Sequence, residues 1–286
     1  MPELPEVETV RRQLAGVLPG AVFLSLDLVE PAMLRDCSAE ELEKCLPGLR
    51  VEQMARLGKF LLLRLSGADL QQPYYLTLHL GMTGQLLLHR RAAPALGPHS
   101  RFWFRLQKEG GDKKGGQRFA LEFRDIRKFG RLHFTQGRPA PRLAQLGPDA
   151  WQGEWDADYL RQRIKARKAP LKAFLLDQRQ LSGIGNIYAD EILWWAGLSP
   201  LRPAGSLKPE EVARLATEIR RVLGEGVRLL GCSISDFVDT QGNPGAFQEW
   251  LRAYGRHGER CFRCGKELRR TIVAGRGTCY CPTCQG

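Results

Sequence analysis

Two close cysteine pairs near the C-terminus restrict this chain more than any other feature. Cys261-Phe-Arg-Cys264 and Cys281-Pro-Thr-Cys284 are separated by sixteen residues. Each pair presents two thiolates from one turn, so four converge in the tetrahedral geometry of a closed, structural zinc site, one ion per chain. A module this short buries too little apolar surface to fold without such a staple. Five of the eight cysteines fall in the last 26 residues, which in a cytosolic chain argues for metal rather than disulfides. Cys279 is wrongly spaced from Cys281 for such a knuckle and is expected to stay outside it. Cys37, Cys45 and Cys232 read as small buried apolar residues.

At 286 residues the chain can bury two modest cores, so two domains are expected. Lysine and arginine exceed aspartate and glutamate by 43 − 31 = 12, a balance that favours a polyanionic partner. The excess is uneven: beyond residue 250, eight basic residues face only Glu259 and Glu267. No apolar run reaches membrane-spanning length and none follows a basic N-terminus. A soluble, cytoplasmic, monomeric protein with no membrane partner is therefore expected.

Apolar Val7, Val10, Leu14 and Val17 recur at helical spacing behind Pro5. A strand is predicted over 21–28, and a capped helix from Ser38 to residue 45. Strand-like runs follow at 50–55, 60–65, 74–80, 85–89, 101–107, 117–123 and 132–135. Many short strands with few helices read as an N-terminal β-sandwich or flattened barrel over residues 1–135. The Gly/Lys-rich stretch 108–116 reads as a hairpin tip. A linker rich in Pro and Arg spans 136–150. Helical patterns at 156–166, 171–178, 187–196 and 209–230 make a helical domain of 151–231. Residues 231–247 read as an irregular, mobile loop, and 232–286 group that loop with the zinc module. The fold class is α+β and multidomain.

The N-terminus reads Met1-Pro-Glu-Leu-Pro-Glu-Val-Glu8. A small residue after the initiator is the setting in which methionine is removed, which leaves Pro2 with a free secondary amine. An α-amine titrates at about pH 8, so part of it is an uncharged nucleophile at neutral pH. Attack on a sugar aldehyde carbon gives a cationic iminium, an electron sink. Glu3 is the adjacent candidate general acid, and Glu6 lies one helical turn on. The bland alternative is a tail ahead of a capped helix.

Three further stretches carry chemistry. Gln180-Leu-Ser-Gly-Ile-Gly-Asn186 joins two predicted helices, with Asn186 as N-cap of the second. Helix N-terminal amides suit phosphate, so the turn reads as a DNA-backbone clamp of helix-turn-helix type. Lys165, Arg167, Lys168 and Lys172 extend that track, although a solvated helix face explains such a run equally well. The loops His79-Leu-Gly-Met-Thr-Gly84 and Asp125-Ile-Arg-Lys-Phe-Gly130 place Met82 and Phe129 at bends beside Arg127 and Lys128. Met82 and Phe129 are core residues by default. An enzyme that extrudes a nucleotide, however, needs an apolar wedge in the vacated stack and a group facing the orphaned base. Lys59 opens a strand where it could donate a proton or bind phosphate; taken alone it is a surface lysine. Arg276 sits at the expected tip of the zinc module's hairpin, where a finger could reach a groove.

Taken together and in this order, the N-terminal motif, the two loops, the Gly-Ile-Gly-Asn-Ile-Tyr-Ala turn and the zinc module resemble the bacterial formamidopyrimidine-DNA glycosylase family. The resemblance runs end to end. It implies a β-sandwich domain, a helix-two-turn-helix domain with a β-hairpin zinc finger, and damaged double-stranded DNA between the domains. It implies excision of oxidised purines (8-oxoguanine and formamidopyrimidines), followed by β,δ-elimination, and hence a bacterial, nucleoid-associated setting. Pro2 becomes the nucleophile on C1′ and Glu3 the acid that helps open the sugar, with Glu6 in support. Lys59 and Arg276 match the proton donors for β- and δ-elimination. Met82, Arg127 and Phe129 match the void-filling set. His99, Lys128, Arg167, Asn186 and Tyr254 match DNA-backbone positions, and Lys172 a lysine near lesion and phosphate. Lys128 replaces a commoner arginine, and 231–247 matches the lesion-sensing loop only loosely. The sister endonuclease VIII family, specific for pyrimidines, shares the fold but differs at Leu4 and in the wedge set. A non-catalytic zinc-finger binder of damaged DNA leaves the N-terminal motif unexplained.

Overall fold

The structure is a computed structural model that describes the chain apart from residues 29, 69, 91–96 and 110–115. The core of the expected 108–116 tip thus lies outside the described residues. The chain divides into two compact units, Met1–Ala144 with Leu230–Gly245, and Gln145–Leu229 with Ala246–Gly286. The sequence reading grouped 232–245 with the zinc module; the structure places this stretch in the first unit.

The first unit opens with helix α1 (Leu4–Ala15), whose Val7, Val10 and Leu14 enter the core. Pro5 sits in its first turn, where its missing N–H costs nothing. Helix α2 (Ala39–Cys45) is capped by Ser38, whose Oγ accepts the Glu41 N–H at 3.1 Å. The strands are β1 (Val22–Leu28), β2 (Leu34–Arg35), β3 (Arg50–Leu57), β4 (Phe60–Ser66), β5 (Tyr74–His79), β6 (Gln85–His89), β7 (Ser100–Lys108), β8 (Gln117–Arg124) and β9 (Arg131–Gln136). They pair in the order β2-β9-β5-β4-β3-β1-β7-β8-β6.

Alternate residues from the two halves of this series meet in one core. Leu63, Leu76, Leu132 and Phe134 come from one half; Phe102, Phe104, Leu121 and Phe123 come from the other. This two-sided burial makes the series a sandwich rather than an open sheet. Only β2 lacks a sequence counterpart: two residues pairing parallel to β9 are too few to show alternation.

The second unit holds α3 (Ala157–Ile164), α4 (Leu171–Leu176), α5 (Asn186–Ala196), α6 (Pro209–Arg228) and the hairpin β10 (Arg269–Val273) and β11 (Arg276–Tyr280). Asp156 caps α3 by accepting the Tyr159 N–H at 2.8 Å. The residue that caps α5 is Gly185, with extended backbone, and not Asn186, which is already the first helical residue.

One charged cluster fixes how α1 meets the sheet. Glu8 is 1% exposed and accepts from Arg11, Arg12 and Arg56 at 2.8–3.0 Å. Burial pushes its carboxyl up, but hydrogen bonds from the three guanidiniums outweigh that and hold it at about 2. A folded value below the unfolded one, about 4.3, stabilises the protein above that pH. The stabilisation is lost as pH falls from there toward 2. Glu8→Gln should therefore flatten the acid limb of the stability–pH curve between about pH 5 and 2. Urea unfolding of the two proteins across this range checks it; parallel curves would refute it.

Candidate active site and nucleic-acid interface

In the first unit the Pro2–Glu3 segment is buried, while Met1 ahead of it is exposed. Glu3 is the N-cap of α1. Its N–H donates to Glu6 Oε2 at 2.7 Å, and the other Glu6 oxygen accepts the Cys232 N–H at 2.7 Å. Glu6 therefore grips both the N-terminal turn and the 230–245 segment. Gly231 makes this possible: its φ is +88°, and a Cβ there would lie 2.9 Å from Glu6 Cγ and Oε1. That segment is also tied down by Gln13, which bonds to Asp239 and Thr240 at 2.7–2.9 Å. The stretch read as irregular and mobile thus has several anchors on α1.

Lys59 occupies the two-residue turn between β3 and β4 and is 9% exposed, not the surface lysine its sequence context suggests. Arg56 anchors this turn, donating to Glu8 at 3.0 Å and to the Gly58 carbonyl at 2.9 Å. Glu8 is neutralised within the fold and reaches the Lys59 turn through Arg56.

The two wedge loops are held together by Asp125, which is fully buried. Its carboxylate accepts the Thr83 hydroxyl at 2.5 Å and the N–H groups of Arg127 and Gly130 at 3.1 and 2.8 Å. Gly81 and Gly130 let the loops abut: a Cβ on Gly81 would meet the Phe129–Gly130 backbone at 2.6 Å. Phe129 is 45% exposed, with the Arg127 guanidinium 4.7 Å from its ring centre, and Met82 is half-buried. The His99 carbonyl accepts the Asp125 N–H at 2.9 Å, which brings His99 alongside. Lys128 has φ +57°, and its exposed ammonium lies 2.6 Å from Glu30, whose carboxylate offsets its charge.

In the second unit Lys172 departs from its expected role. It is 0% exposed, and its ammonium contacts Asp190 Oδ1 at 2.6 Å, Thr278 Oγ1 at 2.9 Å and the Gly277 carbonyl at 3.1 Å. Two hydrogen bonds and this ion pair tie the buried ammonium to β11 and α5, so it anchors β11. Asn186 Nδ2 donates to the same Gly277 carbonyl at 3.2 Å. Asp190 Oδ2 accepts the Cys279 N–H at 3.0 Å. These contacts hold the strand that starts at exposed Arg276, just past the Ala274–Gly275 turn.

Glu191 holds the Tyr254 loop, accepting the N–H groups of Arg252, Ala253 and Tyr254 at 2.8–2.9 Å. Burial pushes its carboxyl up to about 7 against the pull of those donors. Arg167 is half-buried and bonds to the Arg163 carbonyl at 2.6 Å. The Sγ atoms of Cys261, Cys264, Cys281 and Cys284 lie within 4.8 Å of one another, and Cys279 is not among them. Four thiolates at this spacing fit a structural zinc.

Sequence reasoning missed Glu8, Arg56, Asp125, Asp190 and Glu191 as positioning residues. Signals existed: Asp125 opens a glycine-ended loop, and Asp190-Glu191 interrupts an otherwise apolar helix.

Three known domain families cover most of the chain. Residues 1–132 match the formamidopyrimidine-DNA glycosylase N-terminal domain, 146–238 the H2TH domain of that glycosylase, and 258–286 the zinc finger found in FPG and IleRS. The formamidopyrimidine-DNA glycosylase of Carboxydothermus hydrogenoformans is 40% identical over 285 residues, 100% of both chains. A Lactococcus lactis FPG variant bound to Fapy-dG-containing DNA superposes with TM-score 0.86 at 31% identity, covering 99% of each chain. The Lactococcus lactis protein bound to abasic-site DNA gives 0.85, at the same identity and coverage.

Removing one partner of a buried ion pair strands the other, so Lys172→Met should cost about 3–5 kcal/mol of second-unit stability. Adding Asp190→Leu should return part of it. Thermal melting tests this; a Lys172→Met protein that melts normally but binds DNA weakly would restore the direct-contact reading. Zinc chelation should unfold the 258–286 module and abolish DNA binding, followed by circular dichroism and gel shift.

Proposed function

The chain belongs to the formamidopyrimidine-DNA glycosylase family and is a base-excision repair glycosylase, and from that premise we propose that its chemistry runs through the Pro2 nitrogen. In the Met1–Pro2 amide this nitrogen has no nucleophilic lone pair; once Met1 is removed it is a secondary amine. It adds to C1′ of the damaged nucleotide as the base leaves. Glu3 protonates the ring oxygen and the sugar opens to a cationic iminium. The cation acidifies the C2′ proton. Loss of that proton expels the 3′-phosphate, and a second elimination expels the 5′-phosphate. Lys59 and Arg276 serve these two steps as proton donors.

Glu6 is a positioning residue that holds the N-terminal turn. Met82 and Phe129 fill the vacated stack, Arg127 faces the widowed base, and His99, Lys128, Arg167, Asn186 and Tyr254 bind the backbone. The substrates are oxidised purines in duplex DNA, acted on by a cytoplasmic monomer close to the nucleoid. The observation that carries this reading is the buried Pro2–Glu3 segment, its cap clamped by Glu6, in a chain of this family.

Borohydride should trap the protein covalently on a duplex carrying one 8-oxoguanine, and uninhibited reaction should leave phosphate on both ends of the nick. Pro2→Gly, and protein that retains Met1, should both lose most of the trapping. Undiminished trapping by both would remove Pro2 from the mechanism.

A further inference from the structure

Helix α1 grips the 230–245 segment at both ends. Glu6 Oε1 accepts the Cys232 N–H at 2.7 Å, and Gln13, about two helical turns further on, meets Asp239 and Thr240. Both ends of the Gln13 amide are used. Its Oε1 accepts the Thr240 N–H at 2.9 Å and the Thr240 hydroxyl at 2.7 Å, and its Nε2 donates to Asp239 Oδ2 at 2.9 Å. Strand β6 holds the segment as well: the Leu88 N–H donates to the Thr240 carbonyl at 2.8 Å, and the Gln85 amide donates to the Asp236 carbonyl. Phe237 enters the core. Ser233 closes the base of the loop, donating to the Phe237 carbonyl at 2.7 Å and accepting the Gly245 N–H at 2.9 Å. The tip between Cys232 and Phe237 projects outward, with Ser235 exposed and Ile234 51% exposed.

The two grips tie this tip to the helix that carries the nucleophile. Glu6 Oε2 holds the Glu3 N–H at 2.7 Å while its Oε1 holds Cys232. One carboxylate therefore separates the Pro2–Glu3 turn from the stem of the tip. C1′ bears both the bond that an amine attacks and the base that leaves, so a base released at Pro2 comes away beside this tip. A loop on its own samples several conformations, and a misplaced contact lowers the rate of the step it serves. Glu6 fixes one end of the loop. Gln13 fixes the other, through a planar amide that presents its acceptor to Thr240 and its donor to Asp239 at once. Asp239 is set to receive it. Burial pushes its carboxyl up, but donors from Gln13, Asn243 and Gln241 outweigh that and hold it below the usual range.

We propose that Gln13 is a positioning residue for base excision, fixing the 233–236 tip where the leaving base meets it. The proposal rests on the reading of Pro2 as the nucleophile and adds to it a residue that touches neither sugar nor phosphate. Its contribution is confined to the step in which a base is present. An abasic site offers the same C1′ to Pro2 and has no base to meet the tip, so elimination there proceeds without Gln13. A residue that served the fold alone would affect both substrates alike.

The test uses the full-length, zinc-loaded protein in single-turnover reactions on two duplexes, one carrying 8-oxoguanine and one a preformed abasic site. Base loss from the first is read after alkali treatment, and nicking of the second directly. Gln13→Leu and Gln13→Glu should each slow excision of 8-oxoguanine about tenfold, the second because it sets a carboxylate against Asp239. Nicking of the abasic duplex should stay within about twofold of the wild type. Adding Asp239→Asn to Gln13→Glu exchanges donor and acceptor across the same bond and should return most of the excision. Thermal melting follows the folding of each variant. Equal losses on both duplexes, or excision that Gln13→Leu leaves unaltered, would overturn the proposal. So would an exchanged pair that melts as the wild type does and recovers nothing. A wild type inactive on both duplexes would defeat the repair reading and this inference with it, whereas the other outcomes defeat this inference alone.

Discussion

A carboxylate taken out of water must be met by donors, because burying the bare charge costs far more than a fold can recover. In this protein the donors are largely backbone N–H groups of loops. Glu6 holds those of Glu3 and Cys232, Asp125 those of Arg127 and Gly130, Asp190 that of Cys279, and Glu191 those of three consecutive residues from Arg252. Charge-assisted bonds of this kind are worth about 1.5–3 kcal/mol each, roughly twice a neutral one. A loop has no ladder of its own to keep it in one conformation. Four buried acids supply that constraint at the segments that carry the proposed nucleophile, the wedge, the hairpin and Tyr254.

This use of acids also explains how a chain with a net charge of +12 can carry acidic groups at its working end. Glu8 would oppose a phosphate backbone if it faced one, but Arg11, Arg12 and Arg56 enclose it. Arg56 then carries the constraint onward to the Gly58 carbonyl, and so to the Lys59 turn. Basic residues likewise divide into structural and available ones. Arg220 donates to the carbonyls of Trp151, Gly153 and Trp155 and closes a loop, whereas Arg276 and Arg127 stand exposed. Net charge states that a polyanion is favoured; only burial separates the arginines that meet it from those that hold the fold.

Much of this was legible in the sequence, for identifiable reasons. Strands with one buried face alternate, and the runs at 60–65, 74–80 and 117–123 appear as β4, β5 and β8 with ends moved by a residue or so. The four zinc ligands followed from spacing alone, since a Cys-x-x-Cys turn points two thiolates the same way. Long-range polar pairing was not legible. Lys172 stands in a basic run, so it read as part of a phosphate track, yet its neighbours Leu171, Phe174 and Leu175 mark an inward face. Its partner Asp190 lies on another helix, and no local pattern joins the two. Asn186 misled for a different reason. Its side chain favours caps, but the cap is decided by backbone angles, and Gly185 holds the extended conformation.

The Lys172–Asp190 pair raises the question of why a buried site in the second unit is ionic at all. An apolar pair of equal volume often supports a fold as well or better, because desolvation consumes most of the Coulombic gain. Here the remaining bonds of both partners go to one strand: Lys172 to Gly277 and Thr278, Asp190 to Cys279. A two-stranded hairpin is marginal in water, and this one leaves Ile272 73% exposed, so apolar packing does little to set its register. Zinc fixes the cysteine ends of the module and leaves the strand between them free to slip by a residue. Such a slip would turn every side chain of β11 to the opposite face and carry Arg276 with it. An apolar pair could bury the same area without resisting the slip. The ionic pair resists it because its partners are particular atoms of β11, the Gly277 carbonyl, the Thr278 hydroxyl and the Cys279 N–H, so what it contributes is register more than stability.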